Sequence, residues 1–203
     1  HFLATHERVP ERLRVEMRSW GLHRGEFADN RHLPYQLYVR EARRMRGAYV
    51  VTQRDVTEER RKADAIGICS HFIDSHHVQR CAFSESEFVN EGRIWRTSMA
   101  YQIPYRALTP AADGCENLLV PGAASFTHVA FSSHRLESVW MIAGHAAGVA
   151  AAMTARQGTP VQQADVKALQ EKLRAQKQVV DFAPGAPERW TDIRKDTGGH
   201  PVF

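Results

Sequence analysis

The sequence predicts a mixed α/β (α+β) fold, and three observations support that prediction. Short apolar segments bounded by turn residues recur through the first half of the chain, as expected for strands. A long segment rich in Ala and Gly, residues 135–156, predicts the strongest helix, and Gly158-Thr159-Pro160 ends it. Hydrophobic residues make up 43% of the 203 residues, so the composition permits a buried core.

The N-terminal part of the chain is predicted to alternate helices and strands. Within residues 1–20, apolar side chains recur at helical spacing, which predicts a short amphipathic helix. Residues 34–40 have period-2 character and predict a strand or an extended entry, followed by a turn of helix at residues 41–45. A second strand is expected at residues 48–52, and the charged residues 57–65 predict another helix.

The middle of the chain is predicted to be mostly extended. Residues 66–73 form an apolar run typical of a buried strand, and the polar residues 74–80 predict a loop. A β-excursion is expected over residues 85–95, with a turn at Asn90-Glu91-Gly92. Residues 101–108 are also expected to be extended, because Pro104 restricts the residue before it.

The C-terminal part is predicted to be mainly helical after one short strand. Leu118-Leu119-Val120 predicts a buried strand that stops at Pro121-Gly122. After the long helix, residues 163–178 predict a second helix with Asp165 near its start. Residues 183–203 are rich in Pro and Gly and predict an irregular tail.

Composition and charge argue against several classes of partner. The net charge is +4 with neutral His, but the basic runs contain acidic residues, so solvated faces are expected and no nucleic-acid partner. The apolar segment 139–155 is shorter than the roughly 20 residues of a membrane span, so we expect no membrane partner. Three cysteines without a CxxC pair predict no metal site. Association of the chain into an oligomer is an open alternative.

The first residues show no targeting signal. The chain begins with His1 rather than Met, and no basic start followed by an apolar stretch is present. We therefore expect a processed or truncated chain, with a cytoplasmic and an exported location both open.

The turn at Pro121-Gly122 and the start of the long helix predict a ligand cradle. Gly122 and Ala123 leave the backbone uncovered, and Ser133 and Arg135 lie near the expected helix N-terminus, which favours an anion or an electron-rich group. Phosphate or the polar edge of a heteroaromatic ring suits such a cradle. Close packing of helix against sheet is the alternative.

Three ordered blocks of sequence resemble a known family. They are "LPYQLYVREARRMRGAYVVTQRD", "DSHHVQR" and "YQIPYRALTP…CENLLVPGAASFTHVAFSSHRLESVWMIAGHAAGVAAAM", which together run from about residue 33 to residue 153. In this order they resemble the C-terminal part of FAD-dependent oxidoreductases, two-domain flavoproteins of the glutathione-reductase-like type. The resemblance implies FAD as the cofactor, lying between a dinucleotide domain and a substrate domain.

The resemblance also implies an incomplete two-domain fold. Residues 1–100 correspond to a substrate-side region with β-strands, and residues 101–158 to a strand–loop–helix that completes the FAD domain. Residues 159–182 add a C-terminal helix, and residues 183–203 the tail. The GxGxxG motif that holds the FAD pyrophosphate is absent from the 203 residues. An N-terminal dinucleotide-binding region, from the same gene or a separate chain, is therefore an expected partner.

Site residues follow partly from the resemblance and partly from side-chain chemistry. By resemblance, one set faces the flavin: Gly122, Ala123, Ser125, Ser133 and Arg135. Histidine titrates near neutrality and can move a proton, so we expect catalytic roles for His76, His77 and His128. A substrate-binding role is expected for Arg40, Tyr105 and Arg106. Ion pairs for the arginines, surface hydrogen bonds for His76 and His77, and a buried hydrogen-bonded His128 are the alternatives.

Two functions remain open at this point. The first is the C-terminal portion of an FAD-dependent oxidoreductase, in which hydride passes from an unidentified small hydroxylated substrate to the flavin. The second is a non-catalytic fragment or subunit that keeps the scaffold and binds no FAD on its own, an interpretation that the missing GxGxxG favours for the isolated chain.

Overall fold

The chain divides into two compact units in a computed structural model, His1–Val39 and Arg40–Phe203. The structure describes residues 1–36, 38–41, 43–84, 86–96 and 99–186. Most of the predicted tail therefore lies outside the described residues. Helices and small antiparallel sheets occur together, which confirms the predicted mixed fold class.

The first unit contains two short helices, α1 (Phe2–Thr5) and α2 (Glu11–Ser19). Helix α2 confirms the predicted amphipathic helix, and Glu11 in its first turn pairs with Arg14 and Arg18. Of the two forms predicted for residues 34–40, the strand is wrong, because the described residues pair with no strand. Alternating apolar side chains stabilise a strand only when one face is buried, and here Tyr35 and Tyr38 are both exposed.

The second unit begins with extended chain and a five-residue helix, α3 (Gln53–Thr57). Thr52 and Asp55 form a capping box at its start, and the Asp55 carboxylate also binds the Lys62 ammonium at 2.6 Å. The predicted helix at residues 57–65 is wrong, since the cap places the helix earlier and residues 58–64 are irregular. The helical turn predicted at residues 41–45 is also not formed in the described residues.

Within the part of the chain that the structure describes, six short strands follow and pair into three two-stranded antiparallel sheets, β1 with β6, β2 with β5 and β3 with β4. The predicted strand at residues 66–73 is split in two, and the predicted loop at 74–80 is shorter than expected. The strands are β1 (Ala65–Cys69), β2 (Ile73–Ser75), β3 (Gln79–Ala82), β4 (Phe88–Glu91), β5 (Ile94–Arg96) and β6 (Tyr101–Pro104).

The C-terminal helices are α4 (His128–His134), α5 (Glu137–Gln157) and α6 (Val166–Ala175). The long helix therefore begins two residues later than predicted, because the chain breaks at Arg135 and Leu136 between α4 and α5. Gly158 ends α5 in the left-handed conformation, with φ of 65°, as predicted. Asp165 caps α6 by accepting a hydrogen bond from the Ala168 N–H.

The predicted buried strand at Leu118-Leu119-Val120 is wrong. Leu118 is 45% exposed, and these residues belong to no strand. The Val120 N–H donates to the Leu108 carbonyl at 2.9 Å, so the segment is tied to the chain after β6 without entering a sheet.

The core of the second unit lies where α5 packs on β1 and α6. The Ala-rich face of α5 lets the backbone of β1 approach closely, and Gly67 marks that approach. A Cβ built on Gly67 would lie 2.3 Å from Cγ2 of Ile142. The buried face of α5 consists of Val139, Ala143, Ala146, Ala147, Ala150, Met153 and Thr154.

Helix α5 is also long and apolar enough to cross a membrane by length and composition. Of its most apolar window, 39% is buried inside the protein. Core helices of soluble proteins pass the same test, so this property assigns no membrane role.

Replacing Gly67 by Ala should destabilise the second unit. The added methyl overlaps Ile142, and overpacking of this kind costs about 1–3 kcal/mol. Gly148→Ala is the matched control in α5, because a Cβ there meets nothing within 4 Å and the change should stabilise the helix by about 1 kcal/mol. Urea unfolding of both variants measures the difference. Equal stability of Gly67→Ala and the natural protein would contradict this packing.

Candidate functional site

The loop before α4, residues 121–127, is held in place by the extended chain at residues 44–51. The N–H groups of Met45 and Val51 donate to the carbonyls of Ala123 and Ser125 at 2.8 and 2.9 Å, and the Thr127 N–H donates back to the Val51 carbonyl at 2.8 Å. We call residues 121–127 the anchored loop. Its backbone is fixed by hydrogen bonds although it belongs to no sheet.

Side-chain contacts of Ser125 and Arg44 supplement the backbone hydrogen bonds of the anchored loop. The Ser125 hydroxyl accepts a hydrogen bond from the Gly47 N–H at 3.0 Å, and Ser125 is only 1% exposed. Arg44 donates from Nε to the Phe126 carbonyl at 3.0 Å, and its guanidinium lies 5.0 Å from the centre of the Phe131 ring. The Ser125 side chain is therefore hydrogen-bonded to another part of the same chain.

Three consecutive residues at the end of α4 hold two distant segments together. We call Ser133, His134 and Arg135 the α4 end. The Ser133 hydroxyl donates to the His71 carbonyl at 2.5 Å, and Arg135 donates from one guanidinium nitrogen to the Asp74 carbonyl at 2.6 Å. His134 lies 3.0 Å from the Pro121 carbonyl. The α4 end thus joins the chain around β2 to the anchored loop.

His134 is completely buried and neutral at pH 7. Desolvation lowers its pKa to about 4, while the hydrogen bond to the Pro121 carbonyl acts in the opposite direction. Because a carbonyl only accepts, Nε2 carries the proton, and the buried Nδ1 has no hydrogen-bond partner among the described residues. The ring also stacks on Phe126 with centroids 4.2 Å apart.

Arg135 is 2% exposed and forms an ion pair with Glu41, with 2.8 Å between its guanidinium and the carboxylate. Its Nε is buried without a hydrogen-bond partner in the described chain. A buried guanidinium that is paired on one side and bonded to the Asp74 carbonyl on the other fixes the position of that carbonyl. The ion pair foreseen as an alternative for Arg135 is present, with Glu41 as its partner.

The predicted catalytic histidines lie next to these contacts. We call residues 74–77 the histidine segment. His128, the first residue of α4, places Nε2 3.0 Å from the Ser75 hydroxyl, so the third histidine contacts the same segment. His76 and His77 face an open polar cavity of about 440 Å³, which also has Asp74, Arg80 and Arg93 in its wall. The structure therefore brings His76, His77, His128 and Arg135 to one region.

The predicted substrate-binding residues lie elsewhere in the second unit. Tyr105 is 2% exposed, its hydroxyl donates to the Val161 carbonyl at 2.7 Å, and burial raises its pKa to about 12. Arg106 forms a two-pronged ion pair with Asp64, which raises the pKa of the guanidinium. Arg40 is half-buried. None of these three lines the polar cavity.

The predicted cofactor residues differ in how much of them remains available to a planar ligand. A Cβ built on Gly122 meets nothing within 4 Å, and Gly122 and Ala123 are both half-buried. In contrast, the hydroxyls of Ser125 and Ser133 already bond within the chain. Gly122 therefore has open space beside its main chain, whereas the two serine hydroxyls are bonded within the chain.

Several residues of this region could not be singled out from sequence. Arg80 and Arg93 line the cavity only because β3 and β4 pair and the chain turns back after Glu91. Glu41 and Arg135 are far apart in the sequence, and no local pattern links them. Among the described residues, no group of three His, Cys, Asp or Glu side chains is placed to hold a metal ion.

The chain is similar to a known protein family over most of its length. The model of the family described as FAD dependent oxidoreductase matches residues 3–173, which is most of the chain and includes the histidine segment and the anchored loop. Comparisons with curated proteins and with solved structures give no match.

The buried His134 should make folding stability fall below pH 6.5. Its pKa is about 4 in the folded state against 6.5 as the ordinary value, so the unfolded chain binds the proton more readily. The contribution is fully present above pH 6.5 and is lost as the pH falls toward 4, by about 3 kcal/mol.

The His134→Gln variant tests this effect, because its amide still donates to the Pro121 carbonyl but does not titrate. Unfolding free energies measured between pH 4 and 7 should show a flatter profile for this variant than for the natural protein. His23→Gln, in an exposed loop, is the matched control and should keep the natural profile. A His134→Gln profile as steep as that of the control would contradict the neutral buried imidazole.

Proposed function

Because the chain belongs to the FAD-dependent oxidoreductase family, whose members act as oxidoreductases with FAD, we propose that it forms the C-terminal, substrate-side portion of such an enzyme. Its substrate is a small molecule with a hydroxyl group on the carbon that is oxidised. The observation that supports this assignment is the α4 end, which joins the anchored loop to the histidine segment through hydrogen bonds from three consecutive residues.

The anchored loop supplies the cofactor side of the proposed site. The main chain of Gly122 and Ala123 would contact the flavin ring, a role supported by the open space around Gly122 and the partial exposure of both residues. When bound, FAD supplies the acceptor for a hydride. Arg135 acts as a positioning residue, because its guanidinium forms an ion pair with Glu41 and donates a hydrogen bond to the Asp74 carbonyl.

The histidine segment supplies the proton acceptor. As the carbon–hydrogen bond breaks and the substrate carbonyl forms, the hydroxyl proton passes to an imidazole nitrogen of His76 or His77, both of which face the polar cavity. His128 holds the Ser75 hydroxyl and thereby supports the backbone of the same segment. Imidazole suits this step because its ordinary pKa lies near neutrality.

The pyrophosphate of FAD requires a binding region in addition to the anchored loop. The 203 residues contain no GxGxxG, so we propose that a dinucleotide-binding region outside these residues, from the same gene or a separate chain, holds the pyrophosphate. The same observation favours the second candidate function, a non-catalytic subunit that binds no FAD by itself. The inward hydroxyls of Ser125 and Ser133 also favour it, since they leave the isolated loop few free donors.

Replacing Gly122 by Val should abolish flavin retention without unfolding the chain. The added side chain enters open space, so no clash within the chain is expected, but it would cover the main chain that receives the ring. The measurement is the visible flavin absorbance of the chain co-purified with its dinucleotide-binding region. Loss of more than about nine tenths of the flavin is expected, which is a weakening of about 1.4 kcal/mol or more.

Gly21→Val is the matched control, because a Cβ at Gly21 also meets nothing within 4 Å and Gly21 lies in the first unit. It should retain the flavin. Full retention by Gly122→Val would contradict the proposed cradle. A colourless complex of the natural protein, with both polypeptides present, would instead support the non-catalytic subunit.

A further inference from the structure

The polar cavity that includes residues of the histidine segment in its wall has the size of a small-molecule site. Its volume of about 440 Å³ falls within the usual range of ligand pockets, roughly 300–1,000 Å³. It is lined by Asp74, His76, His77, Arg80 and Arg93. All five are polar and titratable, whereas most ligand pockets are lined mainly by apolar side chains. The ligand that this cavity selects must therefore be polar.

The turn between β4 and β5 brings the two arginines to the same cavity. Arg80 pairs with Asn90 across the β3–β4 sheet, and Gly92 turns the chain with φ of 75°, a conformation that other residues adopt only with strain. Arg93 follows this turn, and its guanidinium lies 5.2 Å from the centre of the Trp95 ring. Stacking on an aromatic face limits the motion of the guanidinium and leaves its edge donors available.

The positive charge of these arginines is not neutralised by the described part of the chain. No described carboxylate lies within 4.0 Å of the guanidinium of Arg80 or Arg93. Among the described residues of the cavity wall, Asp74 is the one acidic residue, so their two permanent positive charges face one negative charge even with neutral imidazoles. Such an imbalance attracts anions, and guanidinium groups bind carboxylate and phosphate through paired hydrogen bonds.

We infer that the ligand of this cavity carries an anionic group, a carboxylate or a phosphate, which Arg80 and Arg93 bind while His76 and His77 face the neighbouring hydroxyl-bearing carbon. Asp74 accepts a hydrogen bond from a further hydroxyl of the ligand. This inference rests on the proposed function for the identity of the ligand as the substrate, and it narrows the substrate class to hydroxy acids and phosphate esters of small polyols.

The test compares ligands that differ in their anionic group. Glycerol phosphate and glycolate supply the phosphate and the carboxylate, and glycerol is the neutral counterpart. Ring-proton NMR resonances of His76 and His77, assigned with His→Gln variants, report binding during titration of the full chain. Saturable shifts are expected with at least one anionic ligand, and the ligand that saturates first identifies the anionic group. Glycerol should give no saturation over the same range.

The variants R80Q and R93Q, combined in one protein, test which residues bind the anion. Loss of two charge-assisted contacts should weaken binding by about tenfold or more. R54Q is the matched control, because Arg54 is an exposed arginine that pairs with Glu58 and Glu59 outside the cavity. It should bind as the natural protein does. Unchanged affinity of the R80Q/R93Q protein, or saturation by glycerol equal to that by the anions, would overturn the inference.

This readout is independent of the proposed function, since it needs neither flavin nor turnover. Anion binding by the chain, together with a complex of the chain and its dinucleotide-binding region that retains no flavin, would leave the inferred site in place and count against the oxidoreductase assignment. A flavin-binding complex in which neither anion shifts the two histidines would support the oxidoreductase and overturn the anionic ligand.

Discussion

Hydrogen bonds from Ser133, His134 and Arg135 determine how the second unit is arranged around its candidate site. In the described residues each sheet has only two strands, so the strands alone do not fix the position of the chain around β2. The α4 end does so by binding the carbonyls of His71, Asp74 and Pro121. Ser133 and His134 are completely buried and Arg135 nearly so, where each hydrogen bond is costly to leave unmade. The break between α4 and α5 lies at Arg135 and Leu136, and Arg135 at this break binds both Glu41 and the Asp74 carbonyl.

The same arrangement explains which of the predicted site residues remain available for ligands. Ser125 and Ser133 were expected to face a cofactor, and their hydroxyls instead bond to Gly47 and His71. Their cofactor-binding role stays a prediction, as does that of Arg135, whose contacts in this chain position the histidine segment. Gly122 keeps an open surface, and His76 and His77 keep a cavity. The proposed chemistry therefore depends on backbone and imidazole groups. The side chains that hold these groups in place already bond within the chain and are not free to bind a ligand.

Sequence patterns predicted the elements whose causes are local. Helix α6 was foreseen because Asp165 caps it and its apolar residues recur on one face, and the end of α5 because Gly158 adopts positive φ. The strands expected at residues 34–40 and 118–120 do not form, because a strand needs a partner and a buried face that composition does not specify.

For the site, the histidine segment and the anchored loop were each recognised, but their connection runs through contacts between residues about 60 positions apart. Arg80 and Arg93 were missed because their proximity depends on strand register.

The most direct test of the joint role of the α4 end is amide hydrogen exchange in the Ser133→Ala/Arg135→Gln protein. The substitutions remove the contacts to the His71 and Asp74 carbonyls and the ion pair between Arg135 and Glu41, and the loop contact of His134 stays intact. If the α4 end holds the two segments as one unit, exchange should accelerate in residues 71–77 and also in the anchored loop at residues 121–127, while α6 stays as protected as in the natural protein. Acceleration confined to residues 71–77, with the anchored loop unchanged, would contradict that coupling.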